Sequence, residues 1–251
     1  MTKLKIIKTL VSQGTYQEIL SWILNKASCE SSYVCVSNVH MLIEAYKDND
    51  FNIIVNEAAM ATPDGMPLAK AMKSLYGINQ ERVAGMDLMP DLMREAEKEN
   101  LSVYIYGSTD EVIDKIKLKA KNEFPKLKIE GYSPPFRILS QEEKDNVLKQ
   151  INKFNPSFVF VALGCPKQEK WMAEHKGKVH ACMVGLGGAL EVYAGIKDRA
   201  PIWMRENSLE WLYRLIQDPK RLWKRYFVTN TLFIGLFIIQ YIKIKLFKRF
   251  D

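Results

Sequence analysis

A carboxylate beside a glycine turn is the first feature of this chain that could do chemistry. Residues 61–68 read Ala-Thr-Pro-Asp-Gly-Met-Pro-Leu, which places Asp64 just after an apolar run and Pro67 where it suits the first turn of a helix. An aspartate in this position can cap a helix, bind a metal ion or act as a general base. Nearby, Arg82 and Asp87 can form a charge pair at the same edge, or a surface ion pair that contributes little.

Two glycine segments offer backbone N–H groups to a phosphorylated ligand. Residues 185–189 read Gly-Leu-Gly-Gly-Ala and join an apolar run to a helical stretch, so free N–H groups and the helix dipole favour a diphosphate near Gly187 and Gly188. The segment departs from a dinucleotide fingerprint, because Leu190 stands at the third glycine position. The alternative is a tight turn that needs glycine only for packing. Gly107 and Ser108 follow another apolar run.

Two amide side chains also follow apolar runs. Asn38 comes after residues 34–36, and Gln168 lies in the Gly-Cys-Pro-Lys-Gln-Glu segment of residues 164–169. Gln168 can bind a sugar hydroxyl or a uracil edge, and the alternative is a solvated helix start. Cys165 is interpreted as a small filler, because no histidine stands in a readable relation to it.

The sequence predicts neither a metal site nor a cofactor. The four cysteines, Cys29 among them, are scattered without a paired motif, and the three histidines have no motif around them. Asp48-Asn49-Asp50 matches a metal-binding DxD pattern in form, but it follows a helical run and is interpreted as a solvated turn. A reducing, cytosolic setting fits this use of cysteine.

Alternating apolar runs and amphipathic stretches must position these residues. Strands are predicted over residues 33–36, 101–106, 127–132, 157–163 and 179–184. Thr109 opens a helix over 111–124, and a capping box of Ser140 and Glu143 opens a helix that ends near Phe154. The pattern predicts an α/β, Rossmann-like fold with a mostly parallel sheet covered by helices. The polar segments follow strand ends, where open α/β sheets bind ligands.

The net charge of +7 lies at one end of the chain. Residues 214–251 contain nine basic and two acidic residues, and the remainder is balanced at 27 of each sign. A nucleic-acid-binding domain would carry its cations on the folded body, so nucleic acid is not an expected partner. We therefore divide the chain into a core of residues 1–200 and a C-terminal basic, amphipathic, membrane-targeting helical segment of residues 201–251, called the appendage below.

The appendage contains an apolar stretch over residues 226–242, interrupted by four polar residues. Its 17 residues fall short of the roughly 20 that span a bilayer. Basic residues flank it on both sides, Lys248 and Arg249 among them. Equal positive charge on both sides favours a helix lying on an anionic cytoplasmic leaflet over a membrane span. Docking onto a partner protein is a further alternative.

Five ordered motifs together resemble the WecG/TagA/CpsF glycosyltransferases of bacteria, over about residues 30–225. They are residues 61–68, the Arg-Val-Ala-Gly-Met-Asp-Leu segment of 82–88, residues 164–169, the 187–189 turn, and Arg-Ala-Pro at 199–201 with the Leu-Glu-Trp-Leu-Tyr-Arg-Leu of 209–215. The resemblance implies an inverting transferase that moves N-acetylmannosamine, its uronic acid or a related hexose from a UDP-sugar to a polyprenyl-diphosphate-linked saccharide. Such products enter teichoic acid, capsule and exopolysaccharide.

The resemblance also implies roles for individual residues. Asp64 is the expected general base, and Asn38, Arg82 and Gln168 are expected to position sugar or acceptor. Diphosphate contacts are expected from Arg214, Arg221 and Arg225, and further substrate contacts from Thr62, Gly107, Ser108, Gly187, Gly188 and Glu191. Val36 stands where many relatives carry threonine, which leaves the donor sugar open.

These expectations describe a peripheral enzyme at the cytoplasmic face of the membrane. Its expected partners are a UDP-sugar, a lipid-linked acceptor and an anionic membrane surface, and a homo-oligomer is left open. A non-catalytic membrane scaffold that binds a UDP-sugar in a polysaccharide assembly complex is the alternative from another class. A short membrane span by the C-terminal helix is the alternative location.

Overall fold

The computed structural model describes residues 1–27 and 31–247, and Cys29, Lys248 and Arg249 lie outside them. The elements in chain order are β1 (Lys3–Ile6), β2 (Thr9–Ser12), α1 (Tyr16–Lys26), β3 (Ser32–Ser37), α2 (Val39–Lys47), α3 (Asn49–Glu57), β4 (Met60–Pro63), α4 (Met66–Tyr76), α5 (Gly85–Lys98), β5 (Ser102–Gly107), α6 (Asp110–Glu123), β6 (Lys128–Tyr132), α7 (Gln141–Phe154), β7 (Phe158–Ala162), α8 (Lys167–His175), β8 (Cys182–Gly185), α9 (Ala189–Tyr193), α10 (Ile202–Glu206), α11 (Glu210–Gln217) and α12 (Pro219–Phe247).

Six parallel strands form the central sheet, in the order β4-β3-β8-β7-β5-β6. The predicted α/β, Rossmann-like fold with helices around a parallel sheet is therefore confirmed. The strand predicted over 179–184 is wrong at its start, because Val179 still donates its N–H to the carbonyl of His175 at 3.0 Å and belongs to the turn after α8. The antiparallel pair β1-β2 is separate from this sheet and was not predicted.

Apolar side chains on both faces of the sheet explain why its strands read as continuous hydrophobic runs. In β3, Val34 and Val36 join the core cluster that holds α1, α5, α6 and α9, whereas Tyr33 and Cys35 join the cluster on the opposite face, with α2, α3, α7 and α8. The chain therefore leaves the adjacent strands β3 and β8 toward opposite faces, into α2 and α9. This divergence opens a crevice at the carboxyl ends of the two strands.

Local capping signals set the helix starts. Thr109 caps α6, which begins and ends one residue before the predicted bounds, and the Ser140–Glu143 capping box opens α7 and is confirmed. The interpretation of Asp48 as part of a solvated turn is wrong. Its carboxylate caps α3 by accepting the N–H of Phe51 at 3.0 Å, and it also pairs with Lys170.

The apolar stretch of the appendage is part of one 29-residue helix, α12. One face of α12 packs against α2 and α4. Phe233 is buried there among apolar side chains of α2 and α4, and Leu222 and Thr229 are buried nearer the start of the helix. The Gln240 amide accepts the N–H of Ile7 at 2.7 Å and donates to the carbonyl of Lys5 at 2.8 Å. The helix thus docks on its own chain.

The opposite face of α12 is apolar and exposed. Among the described residues, α12 is the one helix that is long and apolar enough to cross a bilayer. The exposed large apolar side chains of α12 are those of Trp223, Phe227, Val228, Ile234, Ile238, Ile239, Tyr241, Ile242 and Leu246. The division of the chain at residue 200 stays a prediction.

Candidate functional site

A cleft of about 860 Å³ lies at the carboxyl ends of the parallel strands. Its floor is formed by the segments that follow β3, β4, β5, β7 and β8, and its cover is formed by α10, α11 and the first turns of α12. The volume is that of a site for a ligand of nucleotide-sugar size. The appendage therefore takes part in the site and does not hang free of the core.

Asp64 stands at the end of β4 on the cleft wall. Its backbone N–H donates to the carbonyl of Ser37 at 2.7 Å, which ties it to the neighbouring strand. The helix-cap interpretation is wrong, because Gly65 with a φ of 99° occupies the N-cap of α4 and no side chain caps that helix. Pro67 lies in the first turn, as predicted.

The environment of Asp64 raises its pKa to about 7. Burial is the main cause, and the nearby carboxylate of Glu210 adds to it, while the guanidinium groups of Arg214 and Arg82 act in the opposite direction. No group of three or more potential metal ligands occurs in residues 1–27 and 31–247. A carboxylate with this pKa can take up a proton near neutral pH.

Arg82 lies at the centre of a partly buried ion-pair network. It donates to Glu210 at 2.8 Å and to Asp87 at 2.9 Å, and its side chain is 14% exposed. Arg214 donates to the second oxygen of Glu210 at 2.7 Å, and Arg199 pairs with the second oxygen of Asp87. The interpretation of Arg82 and Asp87 as an isolated surface pair is therefore wrong, because Arg82 also links the core to the appendage through Glu210.

Gln168 is 4% exposed and lies against the glycine turn after β8. Its amide nitrogen donates to Glu169 at 2.6 Å, and its oxygen has no partner among the described residues. A Cβ at Gly185 would lie 3.0 Å from that nitrogen, so glycine permits this close approach. The solvated helix start is therefore wrong. Burial raises the pKa of Glu169 to about 7 and that of the Cys165 thiol far above its usual range.

Asn38 also lines the cleft, but its side-chain oxygen is already used. It accepts the N–H of Met41 at 3.1 Å and so caps α2. His40, to which we assigned no role, lines the same wall, and burial and the charge of Arg225 lower its pKa. Ser108 is a further lining residue at the end of β5.

The glycine turn at Gly187 and Gly188 lines the cleft but offers few free donors. The N–H groups of Gly187, Ala189 and Leu190 donate to backbone carbonyls at 3.2–3.3 Å. Within the described ranges, that of Gly188 donates to none. Helix α9 has only five residues, so guanidinium groups must supply most of the positive charge here.

The remaining cleft cations fall into two groups. Arg221 and Lys197 form ion pairs, with Asp218 and Glu191 respectively. Arg205 and Arg225 form no ion pair with any described residue, and the Nε of each is buried without a hydrogen-bond partner. Sequence reasoning missed four residues that line the cleft: His40, Arg205, Ser208 and Glu210. Glu210 lay within a motif already noted, which was the signal available.

Two predicted substrate contacts do not line the cleft. Thr62 is fully buried, and its hydroxyl faces the carbonyl of Val83 at 3.5 Å. Gly107 has a φ of 108°, and a Cβ there would lie 2.6 Å from the carbonyl oxygen of Ala162. Both residues therefore serve the packing of strands and loops behind the cleft.

Comparison with known proteins gives one family and named relatives. A model described as the glycosyl transferase WecG/TagA/CpsF family matches residues 4–246. A protein of Bacillus subtilis (strain 168), named N-acetylglucosaminyldiphosphoundecaprenol N-acetyl-beta-D-mannosaminyltransferase, is 36% identical over 189 residues, which cover 75% of this chain and 72% of that protein. A protein of the same name from Staphylococcus aureus (strain MW2) is 29% identical over 196 residues, or 78% and 76% of the two chains.

Proposed function

Because this chain belongs to the WecG/TagA/CpsF family of glycosyltransferases, we propose that it moves a sugar from a UDP-sugar to a polyprenyl-diphosphate-linked saccharide, with inversion, in the synthesis of a cell-surface polymer. N-acetylmannosamine is the donor sugar that the names of its relatives favour. Its uronic acid and a related hexose are the other candidates. Teichoic acid, capsule and exopolysaccharide are the candidate polymers.

Asp64 acts as the general base in this proposal. It takes the proton of the acceptor hydroxyl as that oxygen bonds to the anomeric carbon, while the bond from that carbon to the diphosphate breaks on the opposite face. The pKa of about 7 suits a base that must accept a proton and then release it near neutral pH. Guanidinium groups in the cleft, with Arg214 and Arg225 foremost, stabilise the charge that develops on the departing diphosphate.

The observation that carries the proposal is a carboxylate and unpaired cations in one cleft. Asp64 accepts no side-chain hydrogen bond from the described residues, and Arg205 and Arg225 lack a carboxylate partner there. The buried Nε of each is a charged donor without a partner, and such donors are seldom left unsatisfied. A diphosphate would satisfy them and would leave the carboxylate free to act on the acceptor.

The appendage places the site at the membrane in this proposal. Helix α12 is docked on the body from Leu222 to Gln240, so that part of it cannot cross a bilayer while the contacts hold. Its outer apolar face and its basic N-terminal turns suit a helix lying on an anionic cytoplasmic leaflet. A lipid-anchored acceptor would then be met where it resides, by a peripheral enzyme. A homo-oligomer stays a prediction.

UDP release by the full-length protein tests the proposal. The assay uses a panel of UDP-sugars, with and without a short-chain polyprenyl-diphosphate-linked N-acetylglucosamine, in the presence of a chelator. We expect acceptor-dependent release with one donor, and a loss of about 10²- to 10⁴-fold in Asp64→Asn. Glu130→Gln, which removes an exposed carboxylate on β6, is the matched control. Tight binding of a UDP-sugar without transfer to any acceptor would instead identify the non-catalytic scaffold.

A further inference from the structure

Glu210 is the first residue of α11 and forms part of the cover of the cleft. Its side chain is 18% exposed, and each carboxylate oxygen holds a different guanidinium group. One oxygen accepts from Arg82 of the core at 2.8 Å, and the other accepts from Arg214, one helical turn further on, at 2.7 Å. The mechanism described above uses Arg214 and Asp64 but assigns no part to Glu210.

The two guanidinium groups depend on Glu210 to different degrees. Arg82 has a second carboxylate partner in Asp87, at 2.9 Å. Arg214 has no other carboxylate partner in the described part of the chain, and its remaining side-chain contact is with the sulfur of Met86 at 3.9 Å. Loss of Glu210 would therefore release Arg214 while Arg82 stays tied to the core. Charge-assisted hydrogen bonds of this kind are the strong ones, and they fix the orientation of the guanidinium plane.

The charges of Glu210, Arg214 and Arg82 all shift the pKa of Asp64. Glu210 raises the pKa of Asp64 more than any other neighbouring charge does, whereas Arg214 and Arg82 lower it. Asp64, Arg82, Glu210 and Arg214 also line the same cleft, which places the network and the base in one site. Glu210 is also the residue through which the appendage reaches Arg82, 128 positions earlier in the chain.

We propose that Glu210 is a positioning residue: it holds Arg214 beside Asp64, facing the place of the leaving diphosphate, and fastens α11 over the base through Arg82. This inference rests on the proposed function. A carboxylate of the appendage thus orders a cation that the reaction needs. Until a diphosphate arrives, it also supplies the negative charge that allows the two guanidinium groups to lie close together.

Glu210→Gln tests this role, because it keeps the shape of the side chain and removes its charge. We expect kcat/KM for the donor to fall by about ten- to a hundredfold, as for a misplaced catalytic group. The acid limb of the pH profile should move to lower pH, because the strongest charge opposing ionisation of Asp64 is gone. Glu210→Asp keeps the charge but is too short to reach both guanidinium groups. It should lose activity with little movement of the acid limb.

A double-mutant cycle separates positioning from a merely structural role. If Glu210 acts in large part through Arg214, the double variant should lose clearly less activity than the product of the two single losses. Losses that multiply would overturn the proposal, as would a Glu210→Gln protein within about twofold of wild type with an unmoved acid limb. Glu130→Gln serves as the control, and melting temperatures report on folding.

UDP affinity, measured by calorimetry, is a readout that does not need turnover. If the wild-type protein binds UDP but transfers no sugar, the proposed function fails while the role of Glu210 is still tested. Positioning of Arg214 then predicts an affinity about tenfold lower in Glu210→Gln. An unchanged affinity overturns it.

Discussion

Replacing Asp64 by asparagine should make the folded protein more stable while it slows sugar transfer by about 10²- to 10⁴-fold. In the folded chain the carboxyl group is largely removed from water on the cleft wall and lies in the field of the Glu210 carboxylate, and both effects oppose its ionisation. In the unfolded chain it ionises freely. At neutral pH and above, the ionised carboxylate therefore costs folding free energy, and Asp64→Asn removes that cost with almost no change of shape.

The size of the effect follows from the pKa of Asp64, which burial raises from 3.8 to about 7. Each tenfold change in proton affinity corresponds to about 1.4 kcal/mol. The destabilisation is absent below the unfolded pKa, grows as the pH rises between about 4 and 7, and is constant above that range, where it amounts to at most about 4 kcal/mol. For a chain of this length, each kcal/mol moves the melting temperature by about 2–4 °C.

Thermal unfolding of both proteins at about pH 5 and about pH 8 measures this difference. We expect Asp64→Asn to melt several degrees above wild type at the higher pH, and the gap to narrow at the lower pH. Asp87→Asn is the matched control with the opposite sign, because it breaks ion pairs to Arg82 and Arg199 and should lower the melting temperature. An Asp64→Asn protein that is no more stable than wild type at the higher pH, or a gap that does not vary with pH, would refute the reasoning.

Three further predictions concern the same cleft and its cover. The value of kcat/KM should fall about tenfold per pH unit below pH ~7, as Asp64 becomes protonated; a flat profile down to pH ~5 would exclude it as the base. Arg205→Ala should weaken UDP binding by about tenfold in calorimetry, because it removes a cation that has no carboxylate partner in the described part of the chain. An unchanged affinity would show that Arg205 does not face the diphosphate. Gln240→Leu should remove two hydrogen bonds, to Ile7 and Lys5, that together contribute about 1–3 kcal/mol to the docking of α12. Amide hydrogen exchange over residues 226–242 should then accelerate, and an unaltered exchange rate would contradict the docking.

Features that depend on neighbouring residues could be read from the sequence. The Ser140–Glu143 capping box, which needs only four consecutive residues, sets the start of α7. The predicted strands are apolar runs because both of their faces are buried. The same local reasoning misplaced the start of β8, because Val179 is apolar without being in a strand. It also took Asp48 for a solvated turn although its side chain caps a helix.

Contacts between distant parts of the chain decided the rest. Sequence alone left Asp64 as a cap, a metal ligand or a base. Its pKa depends on burial in the folded chain and on Glu210, which lies far along the chain. Arg82 resembled half of a surface pair until the fold brought Glu210 to it. The periodicity of α12 indicated an apolar helix but not which face its own body would cover. Local patterns specify elements, whereas burial, ion pairing and proton affinity depend on what the folded chain brings together in space.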